Sequence, residues 1–129
     1  MFSSGAFDYI NLLDKAADYS WKRETVIANN LANVDTPGYK RQDIDFQSVL
    51  KDELGRSKYT SLDEKVKNAR LSHLHAEVHT EYPDYSYRLD ENNVDVDTEQ
   101  VELATEQINY QALTTSINSE FERLRTVIK

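Results

Sequence analysis

The chain has 129 residues, a length suited to one domain, with 39% hydrophobic and 29% charged residues. Its formal net charge of −8 argues against nonspecific binding to nucleic acid or anionic lipid. With no cysteine, disulfides and thiolate metal sites are excluded. No stretch approaches the roughly 18 apolar residues that span a membrane. Met1-Phe2-Ser3-Ser4-Gly5 lacks a basic region followed by an apolar core, so a cleaved secretory signal is not expected.

The first predicted element is a helix from about residue 6 to Ala32. Ile10, Leu13, Ala17, Ser20, Glu24, Ile27 and Leu31 follow a 3-4 spacing, widened by Leu12, Ala16, Trp21 and Ala28. It ends in Asn29-Asn30-Leu31-Ala32-Asn33-Val34-Asp35-Thr36-Pro37-Gly38-Tyr39. Asn33 suits a left-handed helix end, Pro37 stops the helix, and Pro37-Gly38 fits the centre of a type II turn. Asn30 or Asn33, polar within an apolar seam, is expected to bond across a subunit boundary and so fix helix register.

Residues 36–94 form an irregular insert. Asp45 is positioned to cap a short helix containing Phe46, Val49, Leu50 and Leu54, with Gly55 at its end and Ile44–Val49 as a staple. Ser61 and Glu64 have capping-box spacing ahead of a polar segment. Between Leu74 and Leu89 a loose alternation through Val78, Tyr82, Tyr85 and Tyr87 fits a small hairpin or an ordered loop. Tyr39, Tyr82, Tyr85, Tyr87 and Tyr110 suit either an interface or ordinary half-buried sites.

The last predicted helix starts at Asp97 as N-cap, with Gln100 answering it and Val96–Val101 as staple. Acids gather at its start (Asp95, Asp97, Glu99, Glu102, Glu106) and Arg123, Arg125 and Lys129 at its end, as the helix dipole favours. Its apolar residues run Val101, Ala104, Ile108, Ala112, then change phase to Leu113, Ile117, Phe121, Leu124 and Ile128. The fold class is therefore mainly α. Two long terminal helices form an antiparallel coiled-coil-like hairpin around an irregular middle with a short helix. One seam cannot bury every stripe residue; Trp21, Leu12, Tyr110 and Phe121 are the expected leftovers.

Chemistry has little support. His73, His75, Glu77 and His79 would share one face of a strand, and His75 and His79 have helical ligand spacing. Ala76 stands where a zincin needs Glu, so these histidines are read as solvated or packed. There is no Gly-x-Ser-x-Gly and no phosphate loop, and Asp43/Asp45 and Asp95/Asp97 are read as caps and turn formers. No enzyme activity, metal or cofactor is expected.

Asn29-Asn30-Leu31-Ala32-Asn33 with Thr36-Pro37-Gly38-Tyr39 resembles the N-terminal signature of bacterial flagellar rod and hook proteins. Arg41-Gln42-Asp43-Ile44-Asp45-Phe46 narrows the resemblance to the flagellar basal-body rod family, proximal-rod or FlgB type. A second match lies at Asn93-Val94-Asp95-Val96-Asp97 and Tyr110-Gln111. The resemblance implies a subunit that stacks helically in the basal body, in the periplasm or cell wall, after uncleaved type III export. Its partners would be copies of itself, other rod proteins, the membrane ring and the export gate.

The resemblance also assigns residues. Asn29, Asn30, Leu31, Ala32, Asn33, Asp35, Thr36, Pro37, Gly38 and Tyr39 would be the assembly motif. Ile10, Leu13, Ile27, Leu31, Val101, Ile108, Leu113, Ile117 and Leu124 would be the helix interface. Residues 1–35 and 95–129 would form one assembly domain around the 36–94 insert, its free ends ordering on assembly. Related proteins commonly carry Gly where this chain has Glu91, so either Asn92 supplies the left-handed turn or the geometry differs. A soluble acidic helical adaptor or export chaperone is the alternative; it explains helices and charge but not the paired signatures.

Overall fold

The computed structural model describes residues 4–56, 61–82 and 90–128. Helix α1 (Ser4–Ala32) is about 44 Å long and helix α4 (Val96–Ile128) about 50 Å. They run antiparallel, as Asn30 meets Glu99, Arg23 meets Glu102 and Ser20 meets Glu106. The antiparallel terminal hairpin expected from the sequence is thus the frame of the molecule.

The chain leaves α1 through a compact turn. Pro37 admits no helical continuation, Gly38 has φ +75°, and the Tyr39 amide donates to the Thr36 carbonyl at 3.2 Å. These are the features of the expected type II turn. A Cβ at Gly38 would meet nothing within 4 Å, so backbone conformation and not space requires glycine. Asn33 does not take the left-handed conformation expected of it; its amide bonds the Asn29 and Asn30 carbonyls, and its side chain donates to the Asn29 carbonyl at 2.8 Å. Helical bonding simply runs on until proline stops it.

The insert folds back on α1. Strand β1 (Gln42–Asp43) pairs antiparallel with β2 (His79–Thr80), Gln42 opposite Thr80 and Asp43 opposite His79. A hairpin local to residues 74–89 is not what β2 makes, because its partner lies some forty positions earlier; residues 83–89, with Tyr85 and Tyr87, lie outside the described residues. Asp45 caps α2 (Phe46–Gly55), accepting from the Ser48 amide at 3.1 Å. Ser61 caps α3 (Leu62–Asn68) through the Glu64 amide at 3.2 Å. A 3-10 turn follows at Leu71–His73.

The hydrophobic core lies between α1 and this insert. Ile44, Phe46, Leu74 and Ala76 are buried against Leu12, Ala16, Tyr19, Val49 and Leu50. Tyr19 stacks on Phe46 with ring centroids 4.5 Å apart. Burying a side chain such as Leu74 contributes about 2 kcal/mol. Leu12, an expected leftover, is therefore part of this core, while Trp21 and Phe121 are 61% and 52% exposed.

Helix α4 starts two residues earlier than its sequence indicates. Asp95 is the cap, its carboxylate accepting from the Thr98 amide at 3.3 Å and its carbonyl from the Glu99 amide at 2.9 Å. Asp97 lies in the first turn, and Val96 and Val101 are both exposed, so the expected staple does not form. Glu91 has φ +62° and is the left-handed non-glycine residue at the approach to α4. Neither expected alternative holds: Glu91 keeps the conformation that suits glycine, and Asn92 does not take it over.

Candidate assembly interface

The α1 terminus, the start of the insert and the approach to α4 form one polar anchor. Asn30 is fully buried. Its Nδ2 donates to the Gln42 carbonyl at 2.7 Å and to Glu99 at 3.2 Å. Its Oδ1 accepts from the Gln42 amide at 2.9 Å and from the Tyr39 hydroxyl at 3.0 Å. The side chain thus acts as a short strand partner for Gln42, with every donor and acceptor engaged. It is not available to bond across a subunit boundary, contrary to expectation. Asn33 is likewise engaged inside the chain, its Oδ1 accepting from Thr36 at 3.1 Å.

Asn92, also fully buried, joins the two distant signatures. Its Nδ2 lies 2.9 Å, 3.1 Å and 2.8 Å from the carbonyls of Asn33, Val34 and Thr36. It thereby ties the approach to α4 onto the turn that follows α1. Its Oδ1 accepts from the Val94 amide at 2.8 Å, and the Gly38 amide donates to the Asp90 carbonyl at 2.6 Å. The next residue, Asn93, accepts from the Arg41 amide at 2.6 Å.

Two arginines tie the layers together. Arg23 on α1 binds Asp43 at 2.8 Å, Glu102 at 2.8 Å and Glu106 at 3.1 Å. Arg41 binds Asp43 at 3.2 Å, Glu81 at 2.7 Å and Glu99 at 2.5 Å. The Asp43 bond above all raises Arg23 beyond its ordinary range; burial opposes. Burial also works against Arg41, but its carboxylate partners, Glu99 first, raise it on balance. Burial pushes the Asp43 carboxyl up, yet Arg23, the Ile44 amide and Arg41 hold it below its ordinary value. Burial and the neighbouring Glu106 raise Glu24.

This anchor inverts the first half of α4. Inward positions include Glu99, Glu102, Glu106 and Asn109, facing the arginines or lining the cleft beside them, and Leu103 is half-buried. The apolar positions Val101, Ala104, Ile108 and Ala112 face outward, Val101 at 65% and Ile108 at 68% exposure. After the change of phase, Leu113, Ile117 and Leu124 are half-buried. On α1, Ile10 and Ile27 are buried and Leu13 and Leu31 half-buried. The residues assigned to one interface therefore divide: α1 buries its members within the chain, and α4 presents two of its own to solvent. Trp21 rests on Tyr110 at 5.7 Å on the rim.

The histidines do not converge. His73 bonds Glu53 at 3.0 Å, His75 bonds the Tyr19 hydroxyl at 3.2 Å, and His79 belongs to β2. Among the described residues no group of three His, Cys, Asp or Glu could hold a metal. None of the described helices is long and apolar enough to cross a membrane.

A family model described as flagella basal body rod protein matches residues 23–40, the stretch from Arg23 through the turn. Flagellar basal body rod protein FlgB of Bacillus subtilis is 38% identical over 124 residues, covering 92% of both chains. The chain belongs to the FlgB family of flagellar basal body rod proteins. Similarity to FlgB extends to Proteus mirabilis, 34% identical over 84% of both chains. In Escherichia coli the figures are 30% identity over 84% of this chain and 83% of the relative.

The turn after α1 was legible in the sequence, but what holds it was not. Arg23, Arg41, Glu81 and Asn92 carried no spacing signal, because the partners that join them to other elements lie between about 20 and 85 positions away. One sign was present: acids at Glu99, Glu102 and Glu106 recur at 3-4 spacing, which marks a face as surely as an apolar stripe does.

Proposed function

We propose that this FlgB-family chain is a structural, noncatalytic subunit of the flagellar proximal rod. It assembles helically and links the membrane ring and export gate to the more distal rod. The carrying observation is the outward apolar stripe of α4. A helix of an isolated domain turns its apolar stripe to the core, whereas exposed stripes mark surfaces that partners cover. Family membership supplies the kind of partner: copies of this chain and other rod components.

In this reading residues 1–35 and 95–129 act together as the assembly domain, and residues 36–94 brace it. Val101 and Ile108 contact neighbouring subunits directly, joined by Leu113, Ile117 and Leu124 where they remain open. Ile10, Leu13, Ile27 and Leu31 act by holding α1 in place. In the motif, Asn29, Ala32, Asp35, Thr36, Pro37 and Gly38 are exposed and available to neighbours, while Asn30, Asn33 and Tyr39 hold the bend. Export without a cleaved leader and a position in the periplasm or cell wall belong to the same proposal.

Quantitative mass spectrometry of detergent-extracted, sheared basal bodies tests it. Enrichment at a fixed low stoichiometry with ring and other rod proteins is expected. Absence there, with recovery in a soluble complex, would overturn the rod reading and favour an adaptor.

A further inference from the structure

We propose that a groove between α2 and α3 receives the outward stripe of α4 from a second copy of this chain. The proposal rests on the self-assembly reading above and names the surface that the stripe meets. The groove, about 430 Å³, is lined by Gln47, Leu50, Lys51, Leu54, Gly55 and Lys65. Leu50 and Leu54 stand one helical turn apart and give it an aliphatic floor. Lys51 and Lys65 place ammonium groups at its rim.

The stripe has the complementary character. Val101 and Ile108 are two turns apart, about 10 Å, with Ala104 and Thr105 between them on the same face. Asp97 lies one turn before Val101 and is exposed. From Val96 to Glu122 the helix carries no basic residue, so every charge flanking the stripe is negative. Apolar ridge meets apolar groove, and carboxylates meet lysines.

Geometry makes the contact intermolecular. The groove belongs to helices that pack on α1, and the stripe points away from α1. Because the two surfaces differ, the contact is heterologous. It leaves a free groove and a free stripe on every pair and repeats into an open helical array, as a rod requires.

The absence of cysteine allows a direct test. Purified full-length Leu54→Cys and Ile108→Cys chains are mixed and oxidised with copper phenanthroline, and linked dimer is measured. At least a ten-fold greater yield than from Leu54→Cys with Phe121→Cys is expected. Lys51→Glu/Lys65→Glu on the Leu54→Cys chain lowers the yield about ten-fold, and Asp97→Lys on the other chain restores it, with helical circular dichroism unchanged. A yield no greater than the Phe121→Cys control overturns the proposal, as does preferential linkage of Ile108→Cys to Trp21→Cys. Repeating the oxidation on isolated basal bodies separates the two readings. Chain present in basal bodies but unlinked overturns the groove contact alone; linkage of purified chains with the chain itself absent from basal bodies overturns the rod reading alone.

Discussion

Asn30 occupies the point where α1, β1 and α4 meet, and its carboxamide replaces a missing strand partner for Gln42. Removing it orphans the part-buried Gln42 amide and carbonyl, which costs more than the bonds themselves contribute. Asn30→Ala is expected to lose about 3 kcal/mol in urea unfolding, against under about 1 kcal/mol for Asn33→Ala at the exposed helix end. Equal losses would show that the anchor does not depend on Asn30. Glu91 presents the opposite case. A side chain held at φ +62° costs about 1 kcal/mol in backbone strain, which glycine relieves. Glu91→Gly is expected to raise stability by up to about 1 kcal/mol, seen as a higher urea midpoint with unchanged slope.

At the scale of elements, the insert is held by carboxylates whose protonation should release it. Asp43 and Asp45 are held below their ordinary value of 3.8, and Glu53 below 4.5, the last chiefly by the Arg70 amide. A depressed folded value stabilises above the unfolded value and is lost as pH falls through the folded one. Glu24, raised by burial, has the opposite sign: its contribution is present in acid and lost as pH rises. Stability should therefore fall below about pH 4, and Asp43→Asn should flatten that slope. An unchanged slope would remove Asp43 from the account. Hydrogen exchange should also divide α4, since no residue after Glu106 is buried among those described. Amides of residues 110–128 are expected to exchange faster than those of 99–109 in the unassembled chain.

The elements themselves were readable because each is coded locally. Asp45 and Ser61 announce their helices, and Pro37-Gly38 announces the turn. The α1–α4 seam was not readable, because charged side chains and not an apolar stripe fill its α4 side. On α4 the stripe faces outward, and the inward face is charged because Arg23 and Arg41 arrive from far along the chain. The helix start lies at Asp95 and not Asp97, three residues past Asn92, which bonds the carbonyls of Asn33 and Val34.

Across the whole molecule, α1 and the insert form a core, while α4 shows solvent the face that a self-sufficient domain would hide. The most direct test of that claim is to place a charge on the stripe without touching the fold. Cells making Val101→Lys/Ile108→Lys in place of the natural chain should contain a soluble subunit with native circular dichroism. Their basal-body fractions should lack it, read by quantitative mass spectrometry beside the natural chain. Variant subunits present in basal bodies at the natural stoichiometry would contradict the account, since the stripe would then face no neighbour.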